Sequence, residues 1–234
     1  MSQIRNLPRS QQPAGAVNLA VVASPASATA EAYRSLRSTV KFAGGEPPIR
    51  SLLVADAGTG GQHGTVAANL AAALALGGDS VVLVDADLRQ PRLHEFFRHG
   101  NETGLADWLA DPDTVRRLPL TESGVPDLRL LTAGHDRGTA GMAPGDLLNG
   151  DAFSRLLTLL REEATFVIFD APALPEVSDA LAIAARVDGA ILLIRSGKTR
   201  RPAAQQAKEA LDRVGTRILG AVLTDAGGRK LFGR

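Results

Sequence analysis

Three aspartates directly follow apolar segments that have the character of buried strands. Asp85 and Asp87 come after segment 80–84, and Asp170 comes after segment 165–169. Side chains alternate along an extended chain, so Asp85 and Asp87 share one face. The carboxyl ends of parallel strands are where α/β folds bind ligands, and Mg²⁺ prefers oxygen ligands. All three are therefore candidate catalytic and metal-binding residues, with the capping of a following helix or turn as the alternative for each.

A glycine-rich segment, residues 56–65, joins the first predicted strand to a helix. Such a turn points backbone N–H groups at an anion, and the helix N-terminus adds partial positive charge. The pattern therefore predicts phosphate binding. The candidate nucleotide-binding residues are Gly58, Gly60, Gly61, His63, Gly64 and Thr65.

This segment departs from a working phosphate loop, G-x-x-x-x-G-K-[ST]. Counted back from Asn69, the lysine position holds His63 and the hydroxyl position holds Gly64. Gln62 occupies the position of the glycine that precedes the lysine, and Thr65 lies one residue after the hydroxyl position. An imidazole with its ordinary pKa near 6.5 is mostly neutral at pH 7. Because phosphoryl transfer depends on positioning and electrostatics, we expect this change to cost ~10³-fold or more in rate.

A second segment, Gly197-Lys198-Thr199, carries the letters of a phosphate loop and also follows a strand. The first glycine would have to fall at position 192, which is Leu. Lys198 is therefore predicted to be a surface or ligand-edge lysine.

From residue 50 onward, short apolar runs alternate with helical patterns at the spacing of repeated β-α units. The predicted strands are 51–55, 81–84, 128–131, 166–169, 190–194 and 218–223. The predicted helices are 65–76, 92–98, 151–163, 178–186 and 202–214. Strands that are apolar throughout are covered on both faces. The sequence therefore predicts a single α/β domain, a doubly wound and mostly parallel sheet flanked by helices.

The chain divides into four parts. Residues 1–18 are predicted to be a flexible tail, 19–48 an N-terminal helix region, 49–225 the main domain and 226–234 a basic tail without tyrosines. Segment 24–44 is predicted to be one helix with three charged residues on one exposed side, Glu31, Arg34 and Arg37. By composition alone this side is a solvated charged face.

Composition excludes several function classes. The 234 residues include no Cys, which excludes disulfide scaffolds, iron–sulfur clusters and thiol nucleophiles. Residues 51–194 carry 10 Lys and Arg against 20 Asp and Glu, while segments 1–50 and 195–234 carry 6 against 2 and 10 against 3. With 4% aromatic residues, the basic ends do not favour nucleic acid. The sequence has no apolar run long enough for a membrane span.

Together these motifs resemble the cytoplasmic bacterial tyrosine kinases of capsule and exopolysaccharide synthesis, relatives of the partitioning and septum-site P-loop ATPases. The E-x-x-R-x-x-R helix at 31–37 and the D-A-D-L-R stretch at 85–89 are specific to that family. Further matching segments are 67–71, 104–107, 131–134, 144–148, 166–172, 177–180, 188–189 and 220–223. The resemblance implies ATP or ADP with Mg²⁺, the three aspartates organising metal and acceptor, and acceptor tyrosines near the C-terminus. It also implies a ring-forming helix with Glu31, Arg34 and Arg37, and a membrane-embedded polysaccharide co-polymerase as activator, which would hold the protein at the cytoplasmic face of the membrane.

The sequence departs from this family at the phosphate loop, at Thr224 where an Asn usually lies near the base, and in the tail. Tyr33 is its only tyrosine. One hypothesis is therefore a regulatory protein with little or no phosphotransfer. One alternative is an active kinase in which His63, or a Lys or Arg from a neighbouring copy in an oligomer, replaces the lysine. The other is a partitioning-type ATPase.

Overall fold

The helices and strands of the chain form one layered α/β arrangement. The computed structural model describes residues 19–43, 48–58, 61–113, 115, 117–134, 143–174 and 178–226. The strands are β1 (Ser51–Asp56), β2 (Val81–Asp85), β3 (Thr121–Glu122), β4 (Leu128–Leu131), β5 (Phe166–Ala171), β6 (Gly189–Arg195) and β7 (Ile218–Thr224). The helices are α1 (Ala20–Ala23), α2 (Ala28–Lys41), α3 (His63–Ala75), α4 (Leu93–Phe96), α5 (Leu105–Ala110), α6 (Pro144–Asn149), α7 (Asp151–Glu163), α8 (Asp179–Ala184) and α9 (Arg201–Arg213).

Within the described residues, seven strands form one sheet in the order β3-β4-β2-β5-β1-β6-β7. All neighbouring pairs are parallel except β3 with β4. The three central strands β2, β5 and β1 are buried along their whole length, as strands covered on both faces must be. This arrangement confirms the predicted doubly wound, mostly parallel sheet.

The helix after the glycine-rich loop, α3, is almost entirely buried. Every residue of α3 except Thr65 is buried, and six of its 13 residues are alanine. Small side chains let α3 pack closely between the sheet and α2. The sequence thereby fixes the N-terminus of α3 at the carboxyl edge of β1.

The N-terminal region differs from the single helix predicted over residues 24–44. The chain forms α1 and then α2, because the Ser27 hydroxyl accepts the Ala30 N–H at 3.1 Å and begins a new helix. Gly44 lies outside the described residues, as do the predicted tail 1–18 and residues 227–234. Within the predicted range the chain forms one helix, α2, which begins four residues later than predicted and ends at Lys41, while α1 lies before that range.

Three smaller predictions also needed correction. The helix predicted at 92–98 spans only Leu93–Phe96, and the antiparallel edge strand β3 was missed because it has two residues. Helix α6, which begins at Pro144, was also missed, and residues 135–142 before it lie outside the described part. Among the described helices, none is long and apolar enough to cross a membrane.

Candidate phosphate site

The carboxyl edges of β1, β2 and β5 bring the sequence-predicted acidic residues together. Asp85 on β2 is the register partner of Asp170 on β5, and β5 also pairs with β1, which leads into the glycine-rich loop. Asp85 and Asp170 are buried, and Asp87 is 6% exposed. The sheet topology therefore gathers the three aspartates beside the N-terminus of α3.

His63, the first residue of α3, points into this acidic cluster. Its Nδ1 lies 2.7 Å from Asp170 Oδ1, and its Nε2 lies 3.8 Å from Asp87 Oδ2. The side chain is 11% exposed. The residue in the lysine position thus has two carboxylate partners within its own chain.

The charge of His63 differs from the sequence-based expectation. Burial alone would lower its pKa, but the charge of Asp170, their hydrogen bond, and the charges of Asp56 and Asp87 outweigh burial and raise the pKa to about 9. The ring is therefore an imidazolium at neutral pH. The prediction that His63 is mostly neutral is wrong, since it used the pKa of an isolated imidazole.

Asp85 holds a proton at neutral pH. Burial and the nearby charge of Asp170 raise its pKa to about 8, although the backbone N–H groups of Leu93 and Arg92 act in the opposite direction. Those N–H groups donate to Oδ2 at 2.9 and 3.0 Å, while Oδ1 is buried with no partner among the described residues. Asp85 therefore caps the segment that follows β2, which is the alternative role given above, and its carboxyl group also has a raised pKa.

Asp170 and Asp87 are also engaged by the protein. Burial raises the pKa of Asp170, against the opposing effect of the His63 charge and hydrogen bond. Asp87 Oδ1 accepts backbone N–H groups from Arg89 and Gln90 at 3.2 and 3.0 Å. Within the described part of the chain, no three His, Asp or Glu side chains are arranged to hold a metal ion. Mg²⁺ is usually held by one or two carboxylates together with phosphate and water, so the metal-binding role of Asp85, Asp87 and Asp170 stays a prediction.

The predicted loop residues separate into two groups. Gly64 is buried at the acidic cluster, where an added Cβ would lie 3.0 Å from Phe96 Cε2 and 3.2 Å from Asp170 Oδ2. Thr65 is the next helical residue and points elsewhere, into a cavity on the α2 side. Its hydroxyl therefore does not replace the one missing at position 64. Gly61 has a φ of 60°, which glycine adopts without strain, and Gly60 lies outside the described residues.

Sequence analysis missed Asp56 at the end of β1. Its carboxylate is 2% exposed and accepts the Gln62 N–H at 3.1 Å. Burial raises the pKa of Asp56, against the opposing charge of His63. An aspartate that ends a buried strand and begins a glycine-rich loop was a usable signal.

A cavity of about 600 Å³ lies between α2, the N-terminus of α3 and the end of β7. Its walls include Tyr33, Gln62, Thr65 and Thr224. The cavity is adjacent to the phosphate loop through Gln62. Thr224, predicted from the family resemblance to lie near the base of a nucleotide, lines this cavity, and its contact with a base stays a prediction.

The charged side of α2 is partly engaged within the chain. Arg34 pairs with Glu31 at 2.6 Å and also donates to the Pro25 carbonyl. Arg37 Nη1 donates to the Ala73 carbonyl at 3.0 Å, which ties α2 to α3. The single chain thus does not test whether these residues join copies into a ring.

Comparison with known proteins identifies relatives of this chain. No family model matches the sequence. Tyrosine-protein kinase YwqD of Bacillus subtilis (strain 168) is 33% identical over 214 residues, 92% of this chain and 87% of that protein. The kinase domain of Escherichia coli tyrosine kinase ETK has a TM-score of 0.83 at 27% identity, covering 100% of this chain and 86% of that one.

A more distant structure shares the fold alone. The septum site-determining protein MinD of Pyrococcus horikoshii OT3, solved as a complex with Mg-ADP, has a TM-score of 0.62 at 23% identity, covering 74% of this chain and 69% of that one. The matches to the two kinases cover more of this chain, at higher sequence identity, than the match to MinD does. The chain therefore belongs to the bacterial tyrosine kinase family, on a P-loop ATPase fold.

Proposed function

We propose that this chain is a nucleotide-binding regulatory member of the tyrosine kinase family, with little or no phosphotransfer of its own. The observation that carries the proposal is the side chain of His63. It occupies the lysine position, but its two ring nitrogens face Asp170 and Asp87. A cation paired with two carboxylates is a poor partner for a transferring phosphate, because the same charge cannot fully compensate both.

Two further features support weak phosphotransfer. Gly64 supplies no hydroxyl at the position that holds Mg²⁺ in a working loop. Tyr33 is the only tyrosine of the chain, and it lies in a cavity wall, where burial raises its pKa. The loop thus lacks the metal-binding hydroxyl of the family pattern at position 64.

Retained nucleotide binding is supported by the cavity next to the loop. A volume of about 600 Å³ suits a base and ribose. The backbone N–H groups at the N-terminus of α3 are the natural partners for the phosphates. We assign the nucleoside to the walls formed by Tyr33, Thr65 and Thr224.

The test is a phosphotransfer assay with labelled ATP on a tyrosine polymer, with and without the membrane partner. We expect a rate at least about 10³-fold below that of YwqD measured beside it. The matched variant is His63→Lys with Gly64→Ser, which should raise the rate. Phosphorylation by the unaltered chain at the rate of YwqD would refute the proposal.

An active enzyme with a different cation is the second candidate, and one contact favours it. The turn holding Lys198 packs against the loop, with Thr199 Cγ2 3.6 Å from the position of a Cβ on Gly58. Lys198 is exposed and follows β6, so it could reach bound phosphate. Lys198→Ala would abolish ATP hydrolysis under this alternative and leave it at its low level under the first proposal. If the Asp85→Asn, Asp87→Asn and Asp170→Asn variants hydrolyse ATP at the wild-type rate, the alternative is excluded.

We further propose that the protein acts in polysaccharide assembly at the cytoplasmic face of the membrane, docked on a co-polymerase-type partner. Self-association through Glu31, Arg34 and Arg37 is part of this proposal. In such a ring, Glu31 of one copy would give up its pair with Arg34 of the same copy and would pair with Arg34 and Arg37 of the next copy. Sedimentation should give a larger species for the wild type than for the Arg34→Ala, Arg37→Ala variant. Identical monomers for both would contradict the ring.

A further inference from the structure

The carboxyl ends of β6 and β7 lie side by side at one edge of the sheet. The two strands are parallel, and Arg195 at the end of β6 is the register partner of Thr224 at the end of β7. The Ser196 N–H also donates to the Thr224 carbonyl at 2.9 Å. The segments that follow the two strands therefore leave the sheet at the same place.

The segment after β6 is strongly basic. Positions 195–207 carry four cations and no Asp or Glu, and the cations are Arg195, Lys198, Arg200 and Arg201. The last three of these side chains are exposed. Within the described part of the chain, Arg200 and Arg201 form no ion pair. Their charge is therefore available to a partner outside the chain.

These two arginines do not stabilise the helix that they begin. Arg200 is the N-cap residue of α9 and Arg201 is its first helical residue, and the first turn contains no acidic residue. Positive charge at the N-terminus of a helix opposes the helix dipole, so the arrangement is unfavourable for the helix itself. An external anionic partner explains the basic first turn better than the stability of the fold does.

Apolar groups accompany the cations at this edge. Leu223, near the end of β7, is 57% exposed. The sequence continues after Ala226 as Gly-Gly-Arg-Lys-Leu-Phe-Gly-Arg, which again combines basic and apolar residues. This combination suits the boundary between the headgroups and the acyl chains of a lipid bilayer. Nucleic acid is a poorer match, because residues 195–234 contain a single aromatic residue, Phe232.

We propose that this basic edge, formed by Lys198, Arg200, Arg201 and the sequence after Ala226, binds the anionic headgroups of a membrane surface directly. Each Lys or Arg near an anionic bilayer adds an attraction that salt screens. The exposed Leu223 adds an apolar contact with the lipid. This contact goes beyond docking on a co-polymerase, because it needs no partner protein. Its failure would leave the proposed function intact.

The test is co-sedimentation of the full chain with vesicles of phosphatidylglycerol and phosphatidylcholine, and with vesicles of phosphatidylcholine alone. We expect binding to the anionic vesicles to be at least about tenfold tighter than to the neutral ones, and to be mostly lost in about 0.5 M NaCl. Equal binding to both kinds of vesicle, or binding to neither, would overturn the inference. Retention on polyglutamate without vesicle binding would assign the surface to an acidic protein and would also overturn it.

Matched variants locate the contact on the molecule. Arg200→Ala with Arg201→Ala should weaken binding to the anionic vesicles by about tenfold or more, because two cations leave the basic edge. Lys208→Ala with Arg213→Ala removes the same charge from two exposed positions later in α9, and it should change the affinity by less than about threefold. Circular dichroism verifies that each variant is folded. Equal losses in the two variants would mean that binding follows net charge, which would overturn the assignment to this edge.

Discussion

Aspartates at the two ends of the sheet have opposite pKa shifts. At the amino end, burial would raise the pKa of Asp188, but hydrogen bonds from Arg50 and Ser51 and the charge of Arg161 lower it. At the carboxyl end, burial raises the pKa of Asp85 to about 8, because only two backbone N–H groups oppose it and Asp170 adds negative charge.

The difference lies in the supply of donors. Asp188 Oδ2 accepts three hydrogen bonds, from the N–H groups of Arg50 and Ser51 and from the Ser51 hydroxyl, and Oδ1 accepts from Arg161 at 2.6 Å. Asp85 Oδ1 has no partner among the described residues. Groups with unfavourable electrostatics cluster at functional sites. We therefore propose that the amino end stabilises the fold and that the carboxyl end is the functional site.

Among the substitutions, the largest loss of stability is expected at the amino end. Asp188→Ala leaves four donors without an acceptor, so we expect the free energy of unfolding to fall by about 3 kcal/mol. Urea unfolding followed by the fluorescence of Trp108, which is 1% exposed, measures the change. Asp188→Asn keeps one acceptor oxygen and should lose about half as much. A loss below about 1 kcal/mol for the alanine variant would contradict the structural role of Asp188.

The second prediction concerns pH and the carboxyl end. The folded-state pKa values of His63 and Asp85, about 9 and about 8, both lie above their unfolded values. Each group therefore favours folding when protonated, and this contribution is lost as pH rises through the folded-state pKa. We expect the free energy of unfolding to fall by about 4 kcal/mol between pH 7 and 10, the larger part from His63. Asp188, with its lowered pKa, contributes nothing in this range. The control is His63→Gln, in which only the smaller fall that comes from Asp85 should remain.

The third prediction tests the packing of Gly64. Gly64→Ser places a Cβ against Phe96, and relieving the close contact should cost about 1 kcal/mol of unfolding free energy. Phe96→Ala in the same chain should remove most of that added cost. A double-mutant cycle measures the coupling between the two positions. Additive losses would mean that Phe96 does not fill the hydroxyl position.

Much of the fold could be predicted from the sequence, because strands buried on both faces are apolar throughout. Val81–Asp85 and Phe166–Ala171 are examples. The short helix α1 was missed because it has only four residues. Helix α2 begins four residues later than predicted because the Ser27 hydroxyl caps its first turn. The two-residue β3 has no sequence period to detect.

The members of the candidate site could be predicted, but their charges could not. Strand-end positions indicated Asp85 and Asp170, which the sheet register places side by side. Whether His63 is charged depends on its 2.7 Å contact with Asp170, which lies 107 positions later in the sequence. Distances of that kind exist only after folding, so the pKa of an isolated side chain gave the wrong answer.

The last prediction concerns Asp85, where we expect a gain in stability. Its pKa of about 8 keeps the carboxyl group neutral in the folded chain at pH 7, and Asp85→Asn exchanges one neutral group for another of similar shape. The amide oxygen can still accept the N–H groups of Arg92 and Leu93. In the unfolded chain the wild-type carboxyl is ionised at pH 7 and must take up a proton on folding, which asparagine does not, so we expect the variant to be more stable than the wild type at pH 7 and by a larger margin at pH 10. A large loss at pH 7 would mean that the wild-type carboxyl is ionised there, and that the two ends of the sheet differ less than their hydrogen bonds imply.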